Sequence, residues 1–277
     1  MEKIRISDQL RALLIEEIHK VEEKAKIIER EADEAVRTLK AWKDLNRYIE
    51  LGWPFHIVEM LSREGKIFKN ENVPNHAIGT AIDEISTVVR ENAINIQKRF
   101  PWVMEADCKK AGIPIDPTSR HPRYSFVDDF FQLEIDEHRW KARLSDNEGK
   151  LAEFPADIGA IISIVQREKE RIFKRQYNPK KFLEKLRKQY LAIVNKQSRK
   201  DGDFIPIRQI TNRLGKNIKG FRTDEFLLDL SRLLEYGENV IDGHKLDLQQ
   251  TKDTEQGMLL HGAGVRGYIG FIGFKEA

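Results

Sequence analysis

One cysteine stands in 277 residues, so no internal disulfide can form and a hydrophobic core must hold the fold. That thiol, Cys108, has no nucleophile motif around it and is expected as a packed side chain, in keeping with a cytoplasmic address. Long apolar runs are missing too. Charges interrupt every hydrophobic stretch well short of the ~20 residues a membrane helix needs, so no membrane partner is expected. The opening MEKIRISDQLRALL sets acids close behind its bases and has no small-residue cleavage site, which speaks against a signal peptide. The seven histidines are scattered, without HExxH or Cys/His ligand spacing, and neither GxSxG nor GxxxxGK[ST] occurs. The expectation is a protein that is not an enzyme and needs neither metal nor cofactor.

What is present begins with a helix. Residues 8 to 50 carry Leu14, Ile18, Val21, Ala25, Ile28, Ala32, Ala35, Leu39, Trp42, Asn46 and Ile49 in strict alternation of four and three. A period of 3.5 marks a coiled-coil seam. Leu14, Ile18, Val21, Ile28, Leu39, Trp42 and Ile49 are the candidate partner-binding residues. Residues 76 to 98 repeat the rhythm with Ile78, Ile82, Ile85, Val89, Asn92 and Ile96. Two readings stand: a helical hairpin folded on itself, or an arm that grips another chain. A shorter helical pattern runs from Phe55 to Leu61, and Asn70 to Pro74 is turn-like. Pro101 and AGIPIDPTSRHPRY are expected to end the helical region.

From Tyr124 the period changes to two. YSFVDDFFQLEI, HRWKARLSD and GKLAEF predict a three-stranded antiparallel meander, and Asp157 is placed to cap a helix running to about Arg175.

Charge is then concentrated. From Arg171 to Arg222 sixteen Lys and Arg face three acids, a local net of +13. The whole chain carries only +3, so the remainder is −10. Such a segment seeks phosphates. Lys180, Lys181, Lys185, Arg187 and Lys188 lie on one predicted amphipathic helix, where 181, 185 and 188 share a face. Arg208, Arg213, Lys216, Lys219 and Arg222 flank a following helix–loop–helix. The second of those helices, TDEFLLDLSRLL, carries Asp224, Glu225 and Asp229, which argues against reading bases in a major groove. Binding to the nucleic-acid backbone survives that objection, and docking on an acidic protein is the competing reading. Three helices followed by strands, with a hairpin at Asp242-Gly243, give the order of a winged helix.

Gly262-x-Gly264-x-x-Gly267 has the spacing of a dinucleotide-binding turn. That turn needs a helix after it and an acid about 20 residues on. Here only ten residues follow, in strand rhythm, so a hairpin is expected. Gly270 and Gly273 would let another backbone or helix lie flat on its returning strand. Asp136, Glu148 and Lys150 match the letters of a metal-dependent nuclease, but DNEGK reads as a hairpin turn with solvated side chains.

The phrases SRHPRYSF (119–126), FPADIGAI (154–161) and TEQGMLLHGAGVRGYIGF (254–271) resemble the small non-ATPase subunit that accompanies SMC-like ATPases in bacterial Lamassu-type defence operons. The likeness covers the chain from about residue 118 on. It implies a coiled-coil ATPase partner, a separate nuclease effector, and phage or plasmid DNA as the trigger. It carries over no catalytic residue. The expected architecture is α+β: a helical coiled-coil arm at 1–118, a β-meander plus helix at 119–177, and a basic winged-helix-like domain at 178–277. The expected role is a non-catalytic subunit of an antiviral defence complex that engages DNA. A free-standing dimeric DNA-binding regulator is the first alternative, and the nuclease the second.

Overall fold

The computed structural model describes residues 7–68, 76–237, 239–260 and 267–277. The chain is α+β and parts into two compact units, Met1–Arg99 and Phe100–Ala277. No helix among the described residues is long and apolar enough to cross a membrane.

The first unit opens with α1 (Asp8–Leu51), a 44-residue helix of the expected extent. Ser7 caps it by accepting the Leu10 N–H, and Gly52 closes it in the left-handed conformation (φ 64°). Helices α2 (Pro54–Phe68) and α3 (His76–Gln97) follow. Their shared core is built from Ala41, Leu45, Ile57, Met60, Phe68, Ile82 and Val89. The helix that packs extensively on α1 is α2, which also packs on α3. The segment 55–61 is therefore longer and more central than its pattern suggests, and it takes the place the hairpin reading gave to 76–98. Only the last third of α1 joins this core; every residue from 7 to 37 is exposed. The expected turn at 70–74 lies outside the described residues.

The second unit opens with α4 (Phe100–Lys110). Pro101 was expected to end the helices. Instead it sits in the first turn of a new one, where its missing N–H costs nothing. Phe100, Met104 and Cys108 are fully buried. Burial pushes the Cys108 thiol up to about 12, so it is a packed, protonated side chain.

The meander has four strands, not three: β1 (Arg123–Phe126), β2 (Phe131–Asp136), β3 (Lys141–Asp146) and β4 (Gly149–Pro155), antiparallel in sequence order. Val127, Asp128 and Asp129 all take positive φ and break the apolar run after Phe126. The Asp116 carboxylate holds this turn by accepting the N–H of Asp128 (3.3 Å) and Asp129 (2.8 Å). Phe131, Leu133 and Ile135 of β2 alternate into the core. Helix α5 (Ile158–Phe173) begins after Asp157 and buries Ile161, Val165 and Ile172.

The rest is α6 (Pro179–Lys196), β5 (Ile205–Pro206), α7 (Ile207–Asn217), α8 (Thr223–Tyr236), β6 (Val240–Ile241), β7 (His244–Gln250), β8 (Met258–Leu260) and β9 (Gly267–Glu276). The strand order β5-β9-β7-β6 gives winged-helix connectivity, with β8 added beside β9. Asp242 and Gly243 both have positive φ and turn β6 into β7 as expected. Segments 119–177 and 178–277 belong to this one unit together with α4.

The glycine question resolves at the strands. Leu260 pairs with Gly267, and β9 runs on as a strand where a dinucleotide turn needs a helix. Gly262 and Gly264 lie outside the described residues. The groups that Gly270 and Gly273 admit are side chains of the same unit. A Cβ on Gly270 would lie 2.9 Å from Thr251, and one on Gly273 3.1 Å from the Phe204 ring. Gly270→Ala should therefore lower stability by about 1–3 kcal/mol through overpacking. Gly79→Ala, helical in α3 with open space around it, should raise it by about 0.5–1 kcal/mol. Urea unfolding midpoints of the two variants check both signs.

Candidate nucleic-acid interface

In a winged helix the second helix of the helix–loop–helix enters the groove. Here that helix is α8, and it is closed off. Phe226, Leu230 and Leu233 face the winged-helix core. Residues 171–177 and Arg222 take up its polar groups. Arg171 Nη2 donates to Asp224 Oδ2 at 2.7 Å and also pairs with Glu225. Arg175 pairs with Asp229 and donates to the Glu225 carbonyl at 2.6 Å. The Tyr177 hydroxyl donates to the Asp229 carbonyl at 2.9 Å, and Arg232 reaches back to the Phe173 carbonyl at 2.6 Å. Burial raises the Asp224 titration, but the hydrogen bonds from Arg171 and Arg222 outweigh it and hold the carboxyl below its ordinary value. At Asp229 burial prevails over Arg175 and Arg232, and the carboxyl titrates above the usual range.

Four of the ten cations expected at phosphates have partners within the protein, and of these Arg187 is buried while Arg222 stays exposed. Arg187 is buried, grips Asp201 with both Nη atoms and lies over the rings of Phe274 (4.9 Å) and Tyr190 (5.4 Å). It is a structural ion pair, not a phosphate ligand; its helical position turns it inward beside Leu183 and Leu186. Arg208 donates to the carbonyls of Gln256 (3.2 Å) and Gly257 (2.7 Å). Arg213 donates to Gln189 Oε1 at 2.9 Å, and Arg222 shares Asp224 with Arg171.

The lysines behave differently. Lys180, Lys181, Lys185, Lys188, Lys216 and Lys219 are exposed. None has an ion-pair partner among the described residues. Lys181, Lys185 and Lys188 run along one face of α6. Lys185 and Arg222 line the same cleft of about 180 Å³, between α6 and the loop from α7 to α8. Phe182, Ile218 and Phe221 are part of its apolar wall, and Arg175 lines it together with the acids Glu225 and Asp229. Lys216 and Lys219 sit at the end of α7 and in that loop, and the Arg213–Gln189 bond ties α7 to α6 beside them. Lys180 instead borders a separate hollow with Glu184 and Asp242. Sequence reading missed Arg175, Phe182 and Phe221 as cleft residues. The available signal was KGFR at 219–222, an aromatic next to cations in a glycine-marked loop.

On α1 the seam residues Leu14, Ile18, Val21, Ile28, Leu39 and Ile49 are all exposed, between 42% and 64%. Trp42 is not part of the open seam. It packs edge-on against Phe68 at 4.9 Å in the core of the first unit.

The nuclease constellation is not assembled. Asp136 and Glu148 stand at opposite ends of β3, six residues or roughly 20 Å of strand apart. Asp136 accepts the N–H of His138 and Arg139 in its own turn, and Lys150 pairs with Glu153 at 3.2 Å. No group of three His, Cys, Asp or Glu could hold a metal among the described residues.

Because Asp224 is buried between two arginines, Asp224→Ala should cost about 3–5 kcal/mol, the penalty for stranding a buried charge. Its titration is depressed on folding, so its contribution is complete at neutral pH. It is lost as pH falls from the ordinary aspartate range through the lower folded value. Thermal unfolding of both proteins between neutral and acid pH should show that acid-dependent loss in the parent chain and a smaller one in the variant. No family model matches the chain, and comparison with curated proteins and with solved structures finds no match either.

Proposed function

We propose that this chain is a non-catalytic assembly subunit, acting in the cytoplasm, that holds nucleic acid by its backbone while α1 fastens it to a partner protein. The observation that carries the reading is the set of exposed lysines on α6 and at the end of α7 and its following loop, none of them ion-paired among the described residues. An open cationic face of this kind draws phosphates and releases their counterions. A buried α8 leaves no helix to read bases, so binding is independent of sequence. That favours a DNA-engaging subunit over a sequence-reading regulator.

The resemblance in 119–271 supplies the biological setting: an SMC-like ATPase and a nuclease effector as companions in antiviral defence, with invading DNA as the object held. In that setting α1 lies along a companion's helix, and the lysine face meets the duplex.

The triple variant Lys181→Glu, Lys185→Glu, Lys188→Glu is expected to weaken binding to unrelated DNA duplexes at least tenfold. It should also reduce the slope of log K against log salt by about 2–3, near 0.9 for each phosphate that is no longer neutralised. Fluorescence anisotropy across a salt series measures both. Unchanged affinity and slope would reassign the lysine face to an acidic protein.

A further inference from the structure

A helix whose first thirty residues are all exposed, and are tied to α2 among the described residues only at their end by the Arg37–Glu64 ion pair (2.7 Å), is hard to reconcile with an isolated state, because most helix stability in proteins comes from packing an apolar face. Local pairs such as Lys20–Glu16 (2.7 Å) and Lys26–Glu23 (2.9 Å) dress the outer surface of α1. The seam itself, from Leu14 to Leu39, stays open over about 38 Å of axis. In a coiled coil the positions flanking the seam choose the partner. On α1 the charged flanking positions between those limits are Glu17, Glu22, Lys24, Glu29 and Glu31, a net of −3.

We propose that this seam receives a helix of a different protein, one with its own 4-3 apolar seam flanked by lysine or arginine, rather than a second copy of this chain. The proposal deepens the reading of α1 as a docking rod and rests on it. Two copies together would bring eight flanking acids and two lysines, so most acids would face no cation. In a parallel self-pair Glu17 of each copy meets Glu22 of the other, which offsets the match of Lys24 with Glu29. The same pair would stack Ala25, Ala32 and Ala35 on themselves and bury little apolar surface in those layers. A foreign helix with large seam residues and basic flanks satisfies both the charges and the shallow stretch.

The test uses the full chain and two designed helical peptides of five heptads. Both carry Ile and Leu on the seam; one has Lys at all flanking positions and the other Glu. Sedimentation equilibrium should find the chain monomeric at micromolar concentration. Titration should show the Lys peptide binding at least tenfold tighter than the Glu peptide, with the preference shrinking as salt rises. The variant Ile18→Asn, Val21→Asn, Ile28→Asn should lose that binding and keep its affinity for DNA, which shows that its fold is intact. A micromolar dimer abolished by the same variant would overturn the choice of occupant while leaving α1 a docking rod. Equal binding of the two peptides would overturn the charge argument. A monomer that binds neither peptide would sink the docking reading itself, whatever the DNA measurement gives.

Discussion

The pairing of Arg171 with Asp224 decides what the rest of the second unit can do. It joins the end of the α5 segment to the first turn of α8, and Arg175, Tyr177 and Arg232 extend the seal along the helix. An ion pair this deep is poor evidence of stability, because desolvation consumes most of the Coulombic gain. Its consequence is geometric. With α8 clamped between 171–177 and the winged-helix core, the element that this topology ordinarily offers to a groove is withdrawn from solvent. The exposed lysines of α6 and of the loop before α8 are, by contrast, without ion pairs among the described residues.

The network also separates two kinds of basic residue that look alike in the sequence. Within the +13 stretch the internal charge partners go mainly to arginines, while the lysines of α6 stay in water. The physics of the side chains accounts for the division. A planar guanidinium can be satisfied in a buried, bidentate or stacked setting, as Arg187 is by Asp201, Phe274 and Tyr190. A strongly hydrated ammonium group is better left exposed. Summed charge overstated the surface field of this segment, since it counted cations that have partners within the fold.

What could be read in advance followed periodicity and punctuation. The extent of α1 and the Asp242-Gly243 turn depend on neighbours a few residues away, and such signals survive without tertiary knowledge. What escaped depends on distant partners. The turn at Val127–Asp129 interrupts a strand-like rhythm and is fixed by Asp116, twelve residues back in the chain. Pro101 resembles a terminator until the helix behind it is seen. The inward turn of Arg187 needs Asp201 on a loop beyond the end of α6. Trp42 keeps the heptad rhythm yet leaves the seam, because α2 arrives from the side and supplies Phe68. At the candidate cleft, Lys185 was legible from helix spacing, whereas Phe182 and Phe221 became part of it only when α6 and the α7–α8 loop were brought together.

The two open surfaces of this chain obey opposite rules. The α6 face is cationic, has little apolar area beyond its cleft and gains by releasing counterions, so it suits a ligand of uniform charge and indifferent sequence. The α1 seam is apolar, acid-flanked and long, so it suits one shape and one sign of partner. Each would be poor at the other's task. The acids beside the seam repel a polyanion, and the lysine face offers no continuous stripe to a helix. The opposite charge of the two surfaces therefore suits them to different classes of partner.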